Sequence, residues 1–402
     1  MVISKESIKY SLQGIKKRKG RSALTIFSIL IGIVTIFIFI SFGYGLYSYV
    51  DEISKGSSVD KVLIQAKGMA APGLNTAFAL TDDDLKAIER AGGVYETTGA
   101  YMKPAEIVKG NEKKYVFLIG YDPKIPIFFQ ITGVKIEKGR FLNSGEKDVV
   151  LLGNNYMVDG KIFKRGYHIN DLIEVQGQKL KIVGFLQAIG NPQDDSQIYI
   201  TDDFVNDLYP GNNSYGMIVA RVDIKSISQV VKNIERNLRK ERNLEEGKED
   251  FFVQSFDDMI KTYSNALNIV IGFILLIAFI SVIVSAINTA NTMITSVLER
   301  YKEIGIIKSI GARNSEVFKI FLFESSFLGF VAGSLGVLLG WMLSALAGSI
   351  LKGLGWGFLQ PKFSIWLFVG CITFATLTGA VSGVVPAARA SKINPVDALR
   401  YE

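Results

Sequence analysis

The chain has 402 residues, of which 49% are hydrophobic, and its formal net charge at pH 7 is +7. A soluble chain of this length is typical of two or three domains, but here the apolar residues are concentrated in four runs without any Asp, Glu, Lys or Arg. Each run exceeds the about 20 residues that a helix needs to cross a bilayer, so an entirely soluble protein is excluded. The runs are Ser22–Val50, Thr262–Leu298, Ser325–Leu351 and Phe363–Ala388.

Two residue counts exclude common chemistries. His168 is the only histidine and Cys371 the only cysteine, so a catalytic triad, a histidine pair and an intrachain disulfide are excluded. The stretch Gly14–Ser22 resembles a phosphate-binding loop only superficially, because its glycines are one residue too far apart and Arg21 replaces the lysine. We therefore expect no catalytic residue, metal site or cofactor site in this chain.

The N-terminus, residues 1–21, is predicted to be a basic amphipathic segment on the cytoplasmic side. Residues 1–22 carry seven Lys and Arg side chains against Glu6 alone, and positive charge beside a membrane helix marks its cytoplasmic end. The net charge is thus a topology signal and not a sign of nucleic-acid binding. The first helix, residues 22–50, is much longer than the about 7–15 apolar residues of a signal peptide, so we interpret it as a retained span.

Residues 51–261 are predicted to form a large α+β domain outside the cell. Thr81 and the three aspartates after it predict the start of a helix that reaches Arg90, and residues 227–241 predict a second helix. Short apolar strands between turn residues are predicted at 61–65, 115–119, 149–152, 172–175, 180–186, 198–200, 217–222 and 251–253. The order indicates a β-α-β frame with an inserted β-rich module at about 114–215.

The second span, residues 262–298, is longer than a bilayer requires. Its 37 uncharged residues give about 55 Å of helix, against about 30 Å of hydrocarbon. We expect the excess to project as a stalk that joins the outer domain to the membrane.

The loop at residues 299–316 has a pattern of its own. Five basic side chains lie between residues 299 and 319, which places the loop on the cytoplasmic side. Ile304, Ile307 and Ile310 recur at helical spacing among charged residues, and Gly311 ends the run. The pattern indicates either a short amphipathic helix along the membrane or an apolar ridge offered to a cytoplasmic partner.

The third span, residues 317–351, and the fourth, residues 363–388, are joined by an outer loop at 352–362, and a cytoplasmic tail follows at 389–402. Small residues let helices approach closely, so the recurring glycines predict tight packing, within the chain or between chains. Glu324, an acid in the third span, is expected in contacts between helices, with a proton or substrate relay as the alternative. All loops agree on four spans with both termini in the cytoplasm. The glycines are Gly329, Gly333, Gly336, Gly340, Gly379 and Gly383.

Several motifs resemble those of the MacB/FtsX family of ABC transporter permeases, to which LolC and LolE belong. Residues 300–312 read RYKEIGIIKSIGA and resemble the family's R-x-x-E-I-G-x-x-[KR]-[AS]-[LI]-G-A loop. Residues 321–324 read FLFE and resemble the F-L-x-E opening of its third helix, while residues 386–402 are similar to its C-terminal ending. Residues 19–25 resemble the start of its first helix, so the likeness covers the whole membrane part and is weaker in the outer domain.

The resemblance implies a non-catalytic permease subunit in the cell membrane, with ATP and Mg bound by a separate ATPase chain. It implies a homodimer, or a heterodimer with a paralogue, in which movements of the outer domain drive export or extraction of a peptide, antibiotic, lipid or lipoprotein. The cytoplasmic loop would be the coupling helix seated on the ATPase. Its coupling residues would be Glu299, Arg300, Lys302, Glu303, Ile304, Gly305, Ile307, Lys308, Ile310, Gly311 and Ala312.

Other functions stay open at this point. An FtsX-like signal transmitter that regulates a cell-envelope partner shares the layout, although its outer domain is usually much smaller than about 210 residues. A receptor or adhesin without an ATPase would not need the cytoplasmic loop. The residues do not select a substrate.

Overall fold

The computed structural model describes residues 19–54, 59–67, 79–125, 127–211 and 214–400, so most of the basic segment predicted for residues 1–21 lies outside the described residues. The described residues form ten α-helices and ten β-strands. The helices are α1 (Lys19–Ser54), α2 (Asp82–Glu89), α3 (Ile127–Thr132), α4 (Asp202–Leu208), α5 (Ile227–Glu241), α6 (Phe256–Glu299), α7 (Tyr301–Ser309), α8 (Asn314–Gly353), α9 (Ile365–Ser391) and α10 (Pro395–Arg400). The strands are β1 (Lys61–Ala66), β2 (Val94–Lys109), β3 (Glu112–Tyr121), β4 (Ile136–Gly139), β5 (Val149–Leu152), β6 (Leu172–Val175), β7 (Gln178–Leu186), β8 (Ile198–Thr201), β9 (Met217–Val222) and β10 (Phe251–Ser255).

Contacts divide the chain into two compact units. The membrane unit comprises the chain up to Leu46, together with Ala266–Ile350 and Leu359–Glu402. The outer unit comprises Tyr47–Asn265 together with Leu351–Phe358, which is the turn between α8 and α9.

Among the described residues, four helices are long and apolar enough to cross a membrane, and most of each belongs to the membrane unit: α1, α6, α8 and α9. They match the predicted spans to within a few residues, except that α6 begins at Phe256 and not near residue 262. The predicted fold class, four spans with a large outer α+β domain, is confirmed. At 44 residues, α6 is about 66 Å long, and its first turns, up to Asn265, belong to the outer unit. The stalk stays a prediction.

The frame of the outer unit is an antiparallel four-stranded sheet in the order β10-β1-β9-β2. With α2 after β1 and α5 after β9, this is a split β-α-β arrangement. Apolar side chains that alternate along the strands fill the space between the sheet and the two helices. Val62, Ile64 and Ile218 from the sheet pack with Ile88 of α2 and Ile234 of α5, and all five are fully buried.

The β-rich module continues the same sheet. The N-terminal half of β2 pairs with β9, and its C-terminal half, from Tyr101, forms a long hairpin with β3. The sheet then continues through β8, β5, β7 and β4, while β6 pairs with β2 and β7. The module therefore begins within β2 and not near residue 114 as expected from the sequence, because a single strand of 16 residues serves both parts.

The start of α2 is tied to the end of α5 by a partly buried ion pair. Thr81 caps α2 and forms a capping box with Asp84. The guanidinium of Arg242 donates hydrogen bonds of 2.8 and 2.6 Å to the Asp84 carboxylate and 2.7 Å to Asp250. Burial opposes ionisation of Asp84, but hydrogen bonds from Arg242 and Thr81 outweigh it and lower the pKa of Asp84.

The turn between α8 and α9 packs within the outer unit. The backbone N–H of Phe358 donates a 3.2 Å hydrogen bond to the carbonyl of Gly190. The Phe358 ring contacts the rings of Tyr49 and Trp356, each at 5.6 Å between centroids. Gly355 adopts a left-handed φ of 95°, which only glycine adopts without strain. This turn is the outer loop predicted at 352–362.

Candidate functional site

The cytoplasmic loop predicted between the second and third spans folds as the short helix α7. It starts one residue after α6 ends, and Arg300 occupies the junction. The helix ends at Ser309 with Ile310 as its C-cap, after which Gly311 takes a left-handed φ of 109° that terminates the run. Most of the loop at 299–316 is thus helical, and in the chain it connects two membrane helices.

One side of α7 packs into the membrane unit. Ile304 is 2% exposed and lies in a cluster with Val297, Val317 and Phe321. Gly305 lies directly against α10, since a Cβ added there would be 2.5 Å from that of Ala398. Only glycine permits this approach, so the contact between α7 and α10 depends on residue 305.

A buried ion pair connects the start of α7 to α8. Arg300 Nη1 lies 3.1 Å from Glu324 Oε2, and both side chains are only 5% exposed. The same guanidinium lies 3.3 Å from Glu303 and 5.5 Å from the ring centre of Phe321. The acid inside the third span therefore has a cationic partner and a fixed orientation. Glu324 thus lies in a contact between α8 and the start of α7.

The other end of α7 is held by the end of α9. Lys308 Nζ donates hydrogen bonds of 2.9 Å to the carbonyl of Ser391 and 2.5 Å to that of Ile393. The last carbonyls of a helix lack partners within the helix and attract cations. α7 is thus attached to α8 at its start and to α9 at its end.

The opposite side of α7 is exposed. Ile306 is 48% exposed and Ile310 is 82% exposed, and with Lys302 they follow the i, i+4 spacing of one helical face. Glu303 of α7 is also exposed, as is Glu299 at the end of α6. An apolar pair ringed by charge is suited to contact with a folded partner.

The exposed ridge differs from the one expected from the sequence. The spacing indicated Ile304, Ile307 and Ile310, but Ile304 is buried, Ile307 is half-buried, and Ile306 completes the exposed face. Of the other expected coupling residues, Arg300 and Gly305 are buried and so lie behind the surface. Lys308 and Ala312 are half-buried, while Glu299, Lys302, Glu303, Ile310 and Gly311 are exposed.

The glycines expected to pack helices lie in contacts between α8 and its neighbours. A Cβ added at Gly329 would lie 2.5 Å from the carbonyl oxygen of Ala375 in α9, and one at Gly379 would lie 2.5 Å from that of Ser325. Gly333 is equally close to α9, with Ala375 Cβ at 2.7 Å. The two backbones therefore touch along this seam, which Gly383 extends.

The remaining two of the six predicted glycines also lie in α8 and face α1. An added Cβ would lie 3.0 Å from that of Ile33 at Gly336, and 3.0 Å from that of Phe37 at Gly340. Both of these partners are buried. The structure thus brings the six glycines together within one chain, around α8.

The described residues contain no group of three or more His, Cys, Asp or Glu side chains that is arranged to hold a metal ion. α7 itself has one face packed within the membrane unit and one exposed face.

Two family models match the chain. The FtsX-like permease C-terminal model covers residues 275–395, and the MacB-like periplasmic core domain model covers residues 22–237, which is more than half of the chain. The first match contains α7, and the second contains most of the outer unit.

Two individual proteins are similar over nearly the full length of the chain, and one solved structure is similar over about half of it. A protein described as an uncharacterized ABC transporter permease of Methanocaldococcus jannaschii is 32% identical, over 98% of both chains. The macrolide export ATP-binding/permease protein MacB of Neisseria meningitidis is 26% identical over 99% of this chain, which spans 61% of that protein. The periplasmic region of MacB from Actinobacillus actinomycetemcomitans aligns with 54% of this chain and 98% of its own, at 15% identity and a TM-score of 0.42.

Proposed function

Because this chain belongs to the MacB/FtsX family of ABC transporter permeases, we propose that it is the subunit through which a separate ATPase chain moves an extracytoplasmic domain. In this proposal α7 is the coupling helix, and its exposed face rests on the ATPase. ATP and Mg are bound by that partner and not by this chain. Both termini lie in the cytoplasm.

The observation that carries the proposal is the two-sided attachment of α7. Its inner side is fixed to α8 by the Arg300–Glu324 pair and to the end of α9 by Lys308. Its outer side presents Ile306 and Ile310. A partner that displaces the outer side therefore displaces α8 and α9 with it, because packed elements transmit displacement instead of absorbing it.

The continuity of α6 supports transmission to the outer unit. The helix ends at Glu299, separated from α7 by Arg300 alone, and begins at Phe256, directly after β10 of the frame sheet. A helix resists compression along its axis because its hydrogen bonds run parallel to that axis. In this proposal α6 carries a shift of α7 along the chain toward the outer unit.

The complex is proposed to contain two permease chains, identical or paralogous, and two ATPase chains. Its work is the export or extraction of a peptide, antibiotic, lipid or lipoprotein. A receptor or signal transmitter that regulates an envelope partner is the second candidate, and it shares the same coupling to an ATPase if it is FtsX-like.

The test is co-purification with candidate ABC ATPase chains of the same organism, after co-expression and solubilisation in detergent. We compare the wild type with the double variant Ile306→Asp plus Ile310→Asp, which puts two charges on the exposed face and leaves the buried face intact. The control is Ile224→Asp, the same substitution at an isoleucine of the outer unit that is 59% exposed.

We expect the wild type and the Ile224→Asp variant to retain a stoichiometric ATPase, and the double variant to lose it. Coupled ATP hydrolysis should fall in parallel. Retention of the ATPase by the double variant would show that the exposed face of α7 does not bind the ATPase. Absence of any ATPase from the wild-type preparation would favour a receptor that works without one.

A further inference from the structure

The outer unit contains a cavity of about 570 Å³. It lies between the frame and the module, beneath α3, and all of its lining residues belong to the outer unit. This volume is within the range of about 300–1,000 Å³ that is typical of small-molecule sites. A cavity of this size is large enough to hold a small-molecule ligand.

The wall of the cavity is largely apolar and aromatic. Phe128 and Phe129 of α3 form edge-to-face rings at 5.4 Å, and Phe129 lies 5.4 Å from the ring of Tyr199. Met102 and Met217 contribute adaptable thioether side chains, which accommodate varied shapes. Such a wall suits an aliphatic or aromatic body.

The polar side of the cavity is a short hydrogen-bond chain that ends at a carboxylate. Tyr199 donates a 2.9 Å hydrogen bond to Gln197, whose side-chain amide donates 3.1 Å to Asp194. The other oxygen of Asp194 accepts 2.8 Å from Asn191. Burial, together with the charge of the neighbouring Asp195, raises the pKa of Asp194. Among the described residues that line the cavity, none is a lysine or an arginine.

We propose that this cavity binds an amphiphile with a protonated amine head and an apolar body, the amine pairing with Asp194 and the body lying against Phe128, Phe129 and Met217. The donors on Asp194 are neutral amides, so they orient the carboxylate but leave its charge unbalanced. An ammonium group next to it would balance that charge and gain attraction from the faces of adjacent aromatic rings. An anionic ligand would meet a carboxylate and no compensating cation.

That this ligand is what the transporter moves rests on the proposed function; the binding itself does not. Ligand binding to the outer unit and ATPase binding to α7 are therefore measured separately. Absence of ligand binding with ATPase binding intact would refute this site alone. Absence of ATPase binding with ligand binding intact would refute the transport assignment alone.

The experiment measures binding of dansylcadaverine to the full chain in lipid nanodiscs, by fluorescence enhancement, with empty discs subtracted. Dansylcadaverine has a primary amine that is protonated at neutral pH. Its N-acetyl derivative keeps the aromatic body and lacks the charge. Three variants are compared: Asp194→Asn, which removes the carboxylate; Ala188→Trp, which fills the cavity from its rim; and Asp203→Asn, an exposed carboxylate outside the cavity.

We expect saturable binding of the amine to the wild type and to Asp203→Asn, with about tenfold or greater preference over the acetylated form. Asp194→Asn should lose that preference, and Ala188→Trp should lose binding of both probes. Asp194→Asn and Ala188→Trp change different walls of the cavity. If one of them fails to fold, which a lowered melting temperature would show, the other still tests the proposal. Equal binding of the two probes to the wild type, or an unchanged preference in Asp194→Asn, would overturn the proposal.

Discussion

The buried ion pair between Arg300 and Glu324 is predicted to stabilise the membrane unit. Replacing Glu324 with Leu leaves a guanidinium that is 5% exposed without its buried partner. Removing one member of a buried pair costs about 3–5 kcal/mol. Glu303 remains 3.3 Å from the same guanidinium but is 53% exposed, so we expect the lower end, about 3 kcal/mol. For a unit of this size that corresponds to a melting temperature lower by about 6–12 °C.

The assay is the thermal melt of the purified permease in detergent, compared across three variants. The double variant Arg300→Met plus Glu324→Leu replaces both charges with apolar groups of similar volume, so its free energy of unfolding should return to within about 1 kcal/mol of the wild type. Glu299→Gln, at an exposed neighbouring acid, should change stability by less than about 0.5 kcal/mol. A double variant no more stable than Glu324→Leu would refute the energetic role of the pair.

Two further predictions concern packing and pH. Gly379→Ala should cost about 1–3 kcal/mol, because its added Cβ would meet α8. Gly370 lies on the same helix, but a Cβ added there has nothing within 4 Å, so Gly370→Ala should leave the melting temperature unchanged or higher. Equal effects of the two substitutions would contradict the close packing of α8 against α9 at Gly379. The lowered pKa of Asp84 means that its stabilising pair with Arg242 is complete above the ordinary carboxyl pKa of about 3.9 and is lost as pH falls through the lowered value. Asp84→Asn should therefore flatten the acid-induced loss of outer-unit stability in circular-dichroism melts, whereas Asp83→Asn should retain the wild-type profile.

Local chemistry explains why parts of the outer unit could be predicted from the sequence. The Thr81 cap and the aspartates after it define the start of α2, and the structure forms that capping box. The strands at Val149–Leu152, Leu172–Val175 and Met217–Val222 begin and end at the predicted residues. In each case the decisive signal lies within a few residues of the element itself.

The strand β2 was not predicted, because its pattern depends on distant partners. Residues 94–109 contain Pro104 and several charged side chains, which argue against a strand when considered alone. In the structure β9 pairs with one half and β3 with the other, so tertiary contacts override the local signal. The start of the inserted module was misplaced for the same reason.

The face of α7 that is buried could not be predicted from periodicity. Ile304, Ile307 and Ile310 fit one helical stripe, and Lys302, Ile306 and Ile310 fit another. The choice is made by α10, whose Ala398 lies against Gly305, and by the core around Phe321. The pairing of Glu324 with Arg300 likewise needs the junction geometry, since Lys302 is a second candidate cation in the sequence.

The turn Leu351–Phe358 has a consequence for anyone who excises the outer domain as a soluble fragment. A fragment cut at the membrane helices, Tyr47–Asn265, would omit eight residues that complete its own fold. The carbonyl of Gly190 would lose the N–H of Phe358, and the ring of Tyr49 would lose its aromatic neighbour. Because Ile189 lines the cavity next to this contact, ligand screens on such a fragment would sample an altered wall. Splicing residues 351–358 back in by a linker restores the missing piece.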